Sequence, residues 1–457
     1  MSEQFSNQGG VSNSDPNSLV RWATSRFLCA VSDPKQLAKK RIKQERVRQK
    51  SAAGHVVEYF HQVDDGYSHL AAQLLPALAE RYDIELVCHL VSDQKDDNAP
   101  EPELLQQLSR YDAFHVAPDY GLNFPEHREE PQAALVDRAT AILASQDSAT
   151  FIQCAAEVGE ALWGDNQQAM ETLVAQYGVA SEQPVADKLT AGNARRKQLN
   201  HYSGAMFYYA GEWYWGVDRL YHLEQRLAQL GADNRPDSPL LVPRPTVESG
   251  PHKDNGQLTL EIYPSLRSPY TAIGFDPAVK LARETGVNLV IKPVLPMVMR
   301  GVPATREKGL YIFTDVAREA PSLGMPFGNI YDPIGEPIRR AYSLFPWARE
   351  QGKEVELISS FLSCAFADGI NTNNNRGLQK VVERAGLDWH QAVQILGNSD
   401  WQEELEANRI ELYQAGLWGV PAFRLLNEHG EQILALWGQD RLWLFAREIQ
   451  RQLEKRQ

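Results

Sequence analysis

The sequence has little cysteine and lacks the patterns that cysteine and histidine form in redox and metal sites. Its 457 residues include four scattered cysteines, Cys29, Cys88, Cys154 and Cys364, and no CxxC pair. Each lies in an apolar neighbourhood, which favours an inert, buried thiol over a reactive one. The eleven histidines form no HxH or HxxxH pair. We therefore expect no metal site, no structural disulfide and no dithiol redox centre.

Long apolar runs are absent, and acidic residues outnumber basic ones. No run approaches the roughly 20 residues that cross a bilayer, and the polar first 18 residues lack the layout of a secretory signal. We therefore expect a cytoplasmic protein without a membrane partner. The net charge of −13 argues against a general nucleic-acid binder. The basic run Lys35–Lys50 is the exception; we interpret it as a solvated helix or linker, with phosphate binding as the alternative.

One motif is present in two copies. The first runs from Gly204-Ala-Met-Phe to Trp215-Gly-Val-Asp-Arg-Leu, and the second from Gly419-Val-Pro-Ala-Phe to Trp437-Gly-Gln-Asp-Arg-Leu. Each copy predicts an apolar strand, a turn, a strand ending in Trp-Gly and an acid-led helix start, so the chain is a tandem repeat. Only the second copy has Pro421 after Gly-Val, and Met206 takes that place in the first. The second half is therefore where we expect an active site.

The order of predicted elements is the same in both halves. Each has strand, helix, strand, a long helical region, two strands and a final helix. This order predicts an α/β fold with two thioredoxin-like domains, each carrying an inserted helical subdomain. Residues 1–50 are predicted to be a disordered tail and a basic helical leader that runs into the first domain. We place the degenerate first domain at 51–230, a proline-rich linker at 231–256 and the second domain at 257–457.

Landmarks in the second half resemble a known family. Ser268-Pro-Tyr, Gly419-Val-Pro and Trp437-Gly-Gln-Asp-Arg follow one another in the order found in the DsbA-like thioredoxin superfamily. Within it, residues 257–452 resemble 2-hydroxychromene-2-carboxylate isomerases and kappa-class glutathione transferases. The resemblance implies glutathione as co-substrate and Ser268 as the catalytic residue. In the first half, Asp65-Gly-Tyr replaces Ser-Pro-Tyr, which indicates a degenerate site.

Ser268 and Pro421 each have a structural and a functional interpretation. A serine before a helix is usually an N-cap, but its hydroxyl at the positive helix end can also stabilise a thiolate. Pro421 is either an ordinary edge-strand proline or, as the resemblance implies, part of a cis Val420–Pro421 bond. In the second case, the Val420 backbone would bind the cysteinyl backbone of glutathione like an added strand.

Further candidates would bind the charged ends of ligands. The resemblance places the γ-glutamyl group of glutathione at Gln439 and Asp440, although Asp440 is equally well a helix cap. Lys292, at the end of a predicted strand, either binds a carboxylate of glutathione or substrate or is a surface lysine. Arg300 and Arg306 either bind an anionic substrate or are solvated.

The leading functional prediction is a glutathione-dependent isomerase or transferase that acts on a small hydrophobic or aromatic electrophile. The helical insertion would supply the apolar pocket. One alternative is a thiol-disulfide oxidoreductase-like protein, although the required CxxC is missing. Another is a non-catalytic thioredoxin-like binding scaffold. We also expect the two repeats to pack as an intramolecular pseudo-dimer.

Overall fold

The structure, a computed structural model, describes residues 15–93, 97–98, 100–125, 129–302 and 304–456. Most of the tail predicted to be disordered, residues 1–14, lies outside the described residues. The chain divides into two compact units. The first unit is Lys39–Pro245, and the second combines the described residues before Lys39 with Thr246–Gln457. Each unit contains one copy of the repeat; the predicted pseudo-dimer stays a prediction.

The first unit is built on a four-stranded mixed sheet in the order β2-β1-β3-β4. The central strand β1 pairs in parallel with β2 and antiparallel with β3. All of its side chains except Val56 are buried, because helices cover both faces. The strands are β1 His55–Gln62, β2 Ile84–Val91, β3 Met206–Tyr209 and β4 Glu212–Trp215.

Helices surround this sheet in the predicted order. The connection from β1 to β2 consists of two short helices, since the chain turns at Gln73 and Leu74, just before Pro76. The helices of this unit are Pro34–Lys50 (which begins just before the unit's boundary), Gly66–Ala72, Leu75–Arg81, Pro102–Val116, Ala133–Ala144, Ser148–Trp163, Gln167–Tyr177, Glu182–Gln198 and Gly216–Gln229.

The second unit repeats the sheet in the order β6-β5-β7-β8. β5 pairs in parallel with β6 and antiparallel with β7, which pairs with β8. The strands are β5 Thr259–Tyr263, β6 Asn288–Ile291, β7 Ala422–Leu426 and β8 Gln432–Trp437. The predicted α/β order, with a helical region inserted between the second and third strands, is confirmed in both units.

A single helix connects β5 to β6, and a longer helical insertion connects β6 to β7. The helices are Ser18–Val31, Pro269–Thr285, Arg306–Glu319, Glu336–Ser343, Phe345–Glu350, Glu354–Phe366, Asn375–Arg384, Trp389–Ile395, Trp401–Gln414 and Leu442–Glu454. Short 3-10 helices at Met297–Arg300, Ala320–Leu323 and Gln439–Arg441 lie in the connections.

The predicted helical leader, residues 19–50, does not belong wholly to the first domain. Residues 18–50 are helical, but helix Ser18–Val31 packs in the second unit rather than the first. We call Asp15–Ser32 the N-terminal strap. Asn17 caps its helix by accepting a hydrogen bond from the Val20 amide at 3.0 Å. Its side chains bind residues more than 300 positions later, a pairing that sequence periodicity does not reveal.

The predicted linker 231–256 is bound to both units rather than being a free tether. Near its start, the Glu224 carboxylate accepts hydrogen bonds from the amides of Leu241 and Val242 at 2.7 and 3.0 Å. Near its end, Gln450 accepts a hydrogen bond from the His252 amide at 3.0 Å. These bonds satisfy backbone groups that have no strand partner.

Candidate functional site

Ser268 lies between strand β5 and helix Pro269–Thr285, where a helix needs a cap. Its Oγ accepts a hydrogen bond from the Thr271 amide at 3.1 Å, and Pro269 occupies the first helical turn, where its missing N–H costs nothing. The N-cap interpretation of Ser268 is therefore confirmed. The same position lies at the positive end of a 17-residue helix, which favours negative charge nearby.

The Ser268 hydroxyl also contacts the other predicted site element. It donates a hydrogen bond to the carbonyl oxygen of Val420 at 3.1 Å. The Val420–Pro421 bond is cis, as predicted, and Pro421 immediately precedes strand β7. Two segments more than 150 positions apart in sequence thus meet at one half-buried hydroxyl.

The Gly-Val-Pro and Trp-Gly parts of the motif depend on each other through a close contact. A Cβ placed on Gly419 would lie within 2.5 Å of three ring atoms of Trp437, so only glycine fits there. The Trp437 ring also packs against Trp418, with ring centroids 5.0 Å apart. This packing fixes the loop that presents Val420 to Ser268.

Partly buried apolar side chains adjoin the Ser268 turn. We call Tyr270, Ile312, Leu323, Met325 and Phe327 the apolar patch. They pack on a buried cluster of Ile273, Val316 and Ala320, which joins helix Pro269–Thr285 to the start of the helical insertion. The Tyr270 hydroxyl donates a hydrogen bond to the buried carboxylate of Asp315 at 2.8 Å and so ties the patch to the insertion.

Gln439 and Asp440 lie on the 3-10 turn that follows strand β8. Gln439 is 2% exposed and packs on Gly274, where an added Cβ would lie 2.5 Å from the Gln439 Cβ. Its Nε2 finds no hydrogen-bond partner among the described residues. The Asp440 carboxylate lies 3.8 Å from the guanidinium of buried Arg441. The turn thus combines a buried amide donor with a partly exposed carboxylate.

Lys292 is held by carboxylates of the protein itself. Its Nζ lies 2.8 Å from Glu261 and also contacts Glu411. Burial acts to lower the pKa of Lys292, but the hydrogen bonds to these two carboxylates outweigh it and raise the pKa. Its predicted role as a ligand-binding lysine stays a prediction, and the ion pairs favour a structural role. Arg300 is also buried, with its Nε donating to the Leu295 carbonyl oxygen at 3.2 Å.

The cysteines and acidic groups offer no competing centre in the described part of the chain. Burial raises the pKa of Cys88 to about 12 and that of Cys154 to about 11, and it also raises the pKa of Cys364. All four thiols are free. Among the residues described, no group of three His, Cys, Asp or Glu side chains is placed to hold a metal ion. No helix described is long and apolar enough to cross a membrane.

Comparison with known proteins assigns part of this chain to a family. The model of the DSBA-like thioredoxin domain matches residues 259–450. Residues 259–450 form a DsbA-like thioredoxin domain. A search of curated proteins found no match. We refer to the second unit below as the DsbA-like unit.

Solved structures similar to this chain include enzymes of two kinds. A 2-hydroxychromene-2-carboxylate isomerase is 18% identical over 43% of this chain and 97% of its own, with a TM-score of 0.37. A probable DsbA oxidoreductase from Streptomyces coelicolor is 18% identical over 42% and 90%, with a TM-score of 0.33. A putative protein disulfide isomerase from Nitrosomonas europaea is 15% identical over 44% and 98%, with a TM-score of 0.35. At such low identities none of these activities transfers to this chain.

The first unit has a carboxylate where the DsbA-like unit has Ser268. Asp65 caps helix Gly66–Ala72 by accepting hydrogen bonds from the amide and hydroxyl of Ser68 at 2.9 and 2.8 Å. Burial raises the pKa of Asp65 to about 6, although the hydrogen bonds from Ser68 oppose this shift. A carboxylate accepts hydrogen bonds but cannot donate one, so Asp65 cannot stabilise a thiolate as a hydroxyl does.

The alignment of the two motifs by their glycines was wrong by one residue. The Gly438 amide donates to the Pro421 carbonyl oxygen, and its equivalent, Gly216, donates to Ala205 rather than Met206. Ala205 therefore takes the place of Pro421, and Gly204 that of Val420. The reason is steric: a Cβ on Gly204 would lie 2.7 Å from the Gln62 side chain, so the first unit requires glycine there. The Val420–Pro421 bond is the one cis bond found among the described residues.

A further difference separates the two acidic turns. In the first unit, the Tyr120 hydroxyl donates a hydrogen bond to the carboxylate of Asp218 at 2.9 Å. Asp218 is the counterpart of Asp440 in the duplicated motif, and Tyr120 is the counterpart of Leu323. Leucine has no hydroxyl, so the DsbA-like unit does not repeat this bond. In the first unit, Tyr120 thus binds Asp218. The counterpart of Asp218 in the second unit, Asp440, is the carboxylate predicted to bind the glutamyl end of glutathione.

One signal in the sequence was missed. The first part of the repeat runs without a gap, at a constant offset of 203 positions, in the identical pairs Glu58 and Glu261, Tyr67 and Tyr270, Asp112 and Asp315, Gly121 and Gly324, and Phe124 and Phe327. Tyr67 bonds Asp112 at 2.7 Å as Tyr270 bonds Asp315. At the same offset His89 matches Lys292, and its ring lies 2.9 Å from Glu58. This register would have predicted both the tyrosine–aspartate bond and the internal pairing of Lys292.

Proposed function

We propose that the DsbA-like unit binds glutathione and uses Ser268 to activate its thiol toward a hydrophobic electrophile. The observation that carries this proposal is the meeting of Ser268 with the carbonyl of Val420, beside cis Pro421, at 3.1 Å. A partly buried main-chain segment at the start of a strand, next to a hydroxyl at a helix N-terminus, suits an extended thiol peptide. No cysteine occupies this turn, so the nucleophilic sulfur must come from the ligand.

Two groups of the protein would stabilise the thiolate form of bound glutathione. The Ser268 hydroxyl would turn from the Val420 oxygen and donate its hydrogen bond to the sulfur. The N-terminal end of helix Pro269–Thr285 adds positive potential at the same point. Both effects lower the pKa of the thiol, which releases its proton to solvent and becomes nucleophilic at neutral pH.

The same hydrogen-bond switch would free the backbone that holds the peptide. Without a ligand, the Val420 oxygen accepts the bond from Ser268. When the hydroxyl turns to the sulfur, this oxygen is free to accept a bond from the cysteinyl amide of glutathione. The glutamyl end would lie at the turn of Gln439, whose buried Nε2 lacks a partner among the described residues, and Asp440. Leaving such an amide unpaired is costly, which favours a ligand there.

The electrophile would bind on the apolar patch. The patch begins at Tyr270, two residues after Ser268, and its partly buried side chains still expose apolar surface. The thiolate would form a carbon–sulfur bond to an electrophilic carbon of an aromatic or hydrophobic substrate. If that bond later breaks from a rearranged product, the reaction is an isomerisation. If the bond persists and a proton adds to the neighbouring atom, the reaction is a conjugation. A cytoplasmic location would suit this need for reduced glutathione.

Calorimetric titration of the full chain with reduced glutathione tests the proposal. We expect one glutathione per chain, with the thiol of bound glutathione ionising at lower pH than in solution. The variant Ser268→Ala should still bind glutathione but should lose the lowered thiol pKa. A chain that binds no glutathione, or one whose bound thiol titrates as in solution, would show that the function lies elsewhere.

A further inference from the structure

The N-terminal strap binds every second residue of the segment 330–336 in the DsbA-like unit. The Cys29 sulfur accepts a hydrogen bond from the Ile330 amide at 3.1 Å, and the Asp15 carboxylate accepts one from the Glu336 amide at 3.1 Å. Between them, Ser25 and Arg21 bind Asp332 and Ile334. The intervening residue Tyr331 instead donates to Ala365 of the helical insertion at 2.8 Å. The strap therefore binds backbone groups of a segment that has no regular secondary structure before helix Glu336–Ser343.

Arg21 is the centre of this contact. It is 1% exposed, and its Nη1 donates to the carbonyl oxygens of Asp332 and Ile334 at 2.9 and 2.5 Å. Its Nη2 pairs with the Asp15 carboxylate at 2.5 Å. Such a buried arginine is stable only because backbone oxygens and one carboxylate receive its donors. The strap is therefore fixed at a single register on the segment.

Asp332 connects the strap to the candidate site. Its backbone is held on both sides, since Ser25 Oγ accepts from its amide at 2.9 Å and Arg21 donates to its carbonyl. Its carboxylate, 5% exposed, binds Arg267 through Nε at 3.2 Å and Nη2 at 3.3 Å. Arg267 is the residue immediately before Ser268. A two-point pair of this kind fixes direction as well as distance.

We propose that the strap is a working part of the site, in which Arg21 and Ser25 are positioning residues that act on Ser268 through Asp332 and Arg267. This inference rests on the proposed function for its catalytic consequence. The strap also lies close to the chain that follows Phe327 of the apolar patch, since a Cβ added at Gly328 would be 3.3 Å from the Ser32 carbonyl oxygen. The strap thus fixes both the hydroxyl and one wall of the surface proposed for the electrophile.

The test compares four variants of the full chain: Ser25→Ala and Arg21→Gln, which weaken the strap; Asp332→Asn, which weakens the link to Arg267; and exposed Arg26→Gln as the control on the same helix. Hydrogen–deuterium exchange is measured on the peptide 266–272. Turnover with glutathione and an aromatic electrophile gives kcat and KM separately. We expect faster exchange at 266–272 and a kcat lowered about tenfold in the first three variants, with KM for glutathione changed less, because small displacements of a catalytic group cost rate. Arg26→Gln should behave as wild type.

Two comparisons separate positioning from general destabilisation. Ser360→Ala removes a buried hydrogen bond to the Val381 oxygen, 2.9 Å long, elsewhere in the same unit, and should lower stability without affecting exchange at 266–272. The double variant Ser25→Ala with Asp332→Asn should be no slower than the worse single variant, since both act along one route. If the losses of kcat in the two single variants multiply in the double variant, the route through Asp332 is refuted. If Ser25→Ala and Arg21→Gln show the same exchange at 266–272 and the same kcat as wild type, the strap does not position the site. If the wild type binds no glutathione, the proposed function fails, and the exchange data alone still decide the positioning.

Discussion

Replacing Ser268 with alanine separates the two roles of its hydroxyl. The hydroxyl caps a helix by accepting from the Thr271 amide, and it donates to the Val420 oxygen, each at 3.1 Å. Loss of the cap costs about 0.5–2 kcal/mol of folding free energy. The unpaired, half-buried Val420 oxygen adds about 1 kcal/mol. We therefore expect Ser268→Ala to destabilise the DsbA-like unit by about 1–3 kcal/mol, which leaves a typical domain folded.

The effect on catalysis should be larger than this loss of stability suggests. Removing one hydrogen-bond donor from a developing negative charge lowers kcat by about a hundredfold to a thousandfold. We expect a loss of this size in glutathione conjugation by Ser268→Ala at neutral pH. Much of it should be recovered at high pH, where glutathione ionises without help. Ser268→Thr keeps the hydroxyl and the cap and should retain most of the activity.

The matched control lies at the equivalent position of the first unit. Asp65→Ala removes a cap of the same kind, which accepts a hydrogen bond from the Ser68 amide at 2.9 Å, from a helix in the other copy. Near pH 4, where the folded protein keeps Asp65 uncharged, the loss of this cap should cost similar stability in urea denaturation, and kcat at neutral pH should be unchanged. Equal losses of activity in the two variants would refute the reasoning, because the hydroxyl of Ser268 would then act through folding alone.

Three further predictions concern charged and polar groups. Asp65 has a folded pKa of about 6, above its unfolded value, so its contribution to stability is present below about pH 4 and is lost as the pH rises through 6. Between these pH values, the free energy of unfolding of Asp65→Asn, measured by urea denaturation, should rise by up to about 3 kcal/mol relative to that of wild type. A difference that does not change with pH would contradict the raised pKa of Asp65. Leu323→Tyr should place a hydroxyl against Asp440 and weaken calorimetric glutathione binding about tenfold, whereas Leu323→Phe should not; equal effects would point to bulk alone. Lys292→Gln should destabilise the unit by about 1–3 kcal/mol, because buried Glu261 loses a partner, while glutathione affinity stays constant. A selective loss of affinity would restore Lys292 as a ligand residue.

The topology of both units could be predicted because it follows from local patterns. Apolar runs of strand length, Pro269 at a helix start and the repeated Trp-Gly pairs each depend on near neighbours in sequence. The order of these elements then allows few folds. The meeting of Ser268 with Val420 was also predictable, because the ends of strands in one sheet lie at a common edge.

The predictions failed where contacts depend on packing between distant segments. The register of Gly204 is fixed by the side chain of Gln62, which no strand pattern reveals. The docking of the strap depends on Arg21 and Ser25 binding backbone atoms, and backbone acceptors leave no trace in a sequence. The ion pairs of Lys292 were also not predicted, because its partners, Glu261 and Glu411, come from a buried strand and from the far end of the insertion.

The position of the strap makes the chain a nested arrangement. Because residues before Lys39 belong with Thr246–Gln457, the first repeat is an insertion within the second and cannot be treated as a neighbour placed before it. Cutting the chain between the repeats would separate Arg21 from its carbonyl partners and leave backbone groups of the segment 330–336 without those hydrogen bonds. An isolated second repeat is better made by excising residues 39–245 and bridging the gap with a flexible linker. During synthesis, Arg21 must wait for Asp332, 311 residues later, or about 15–60 s at ordinary ribosomal rates. The first repeat can fold in that interval, whereas the second repeat is complete only when the N-terminal strap docks on it.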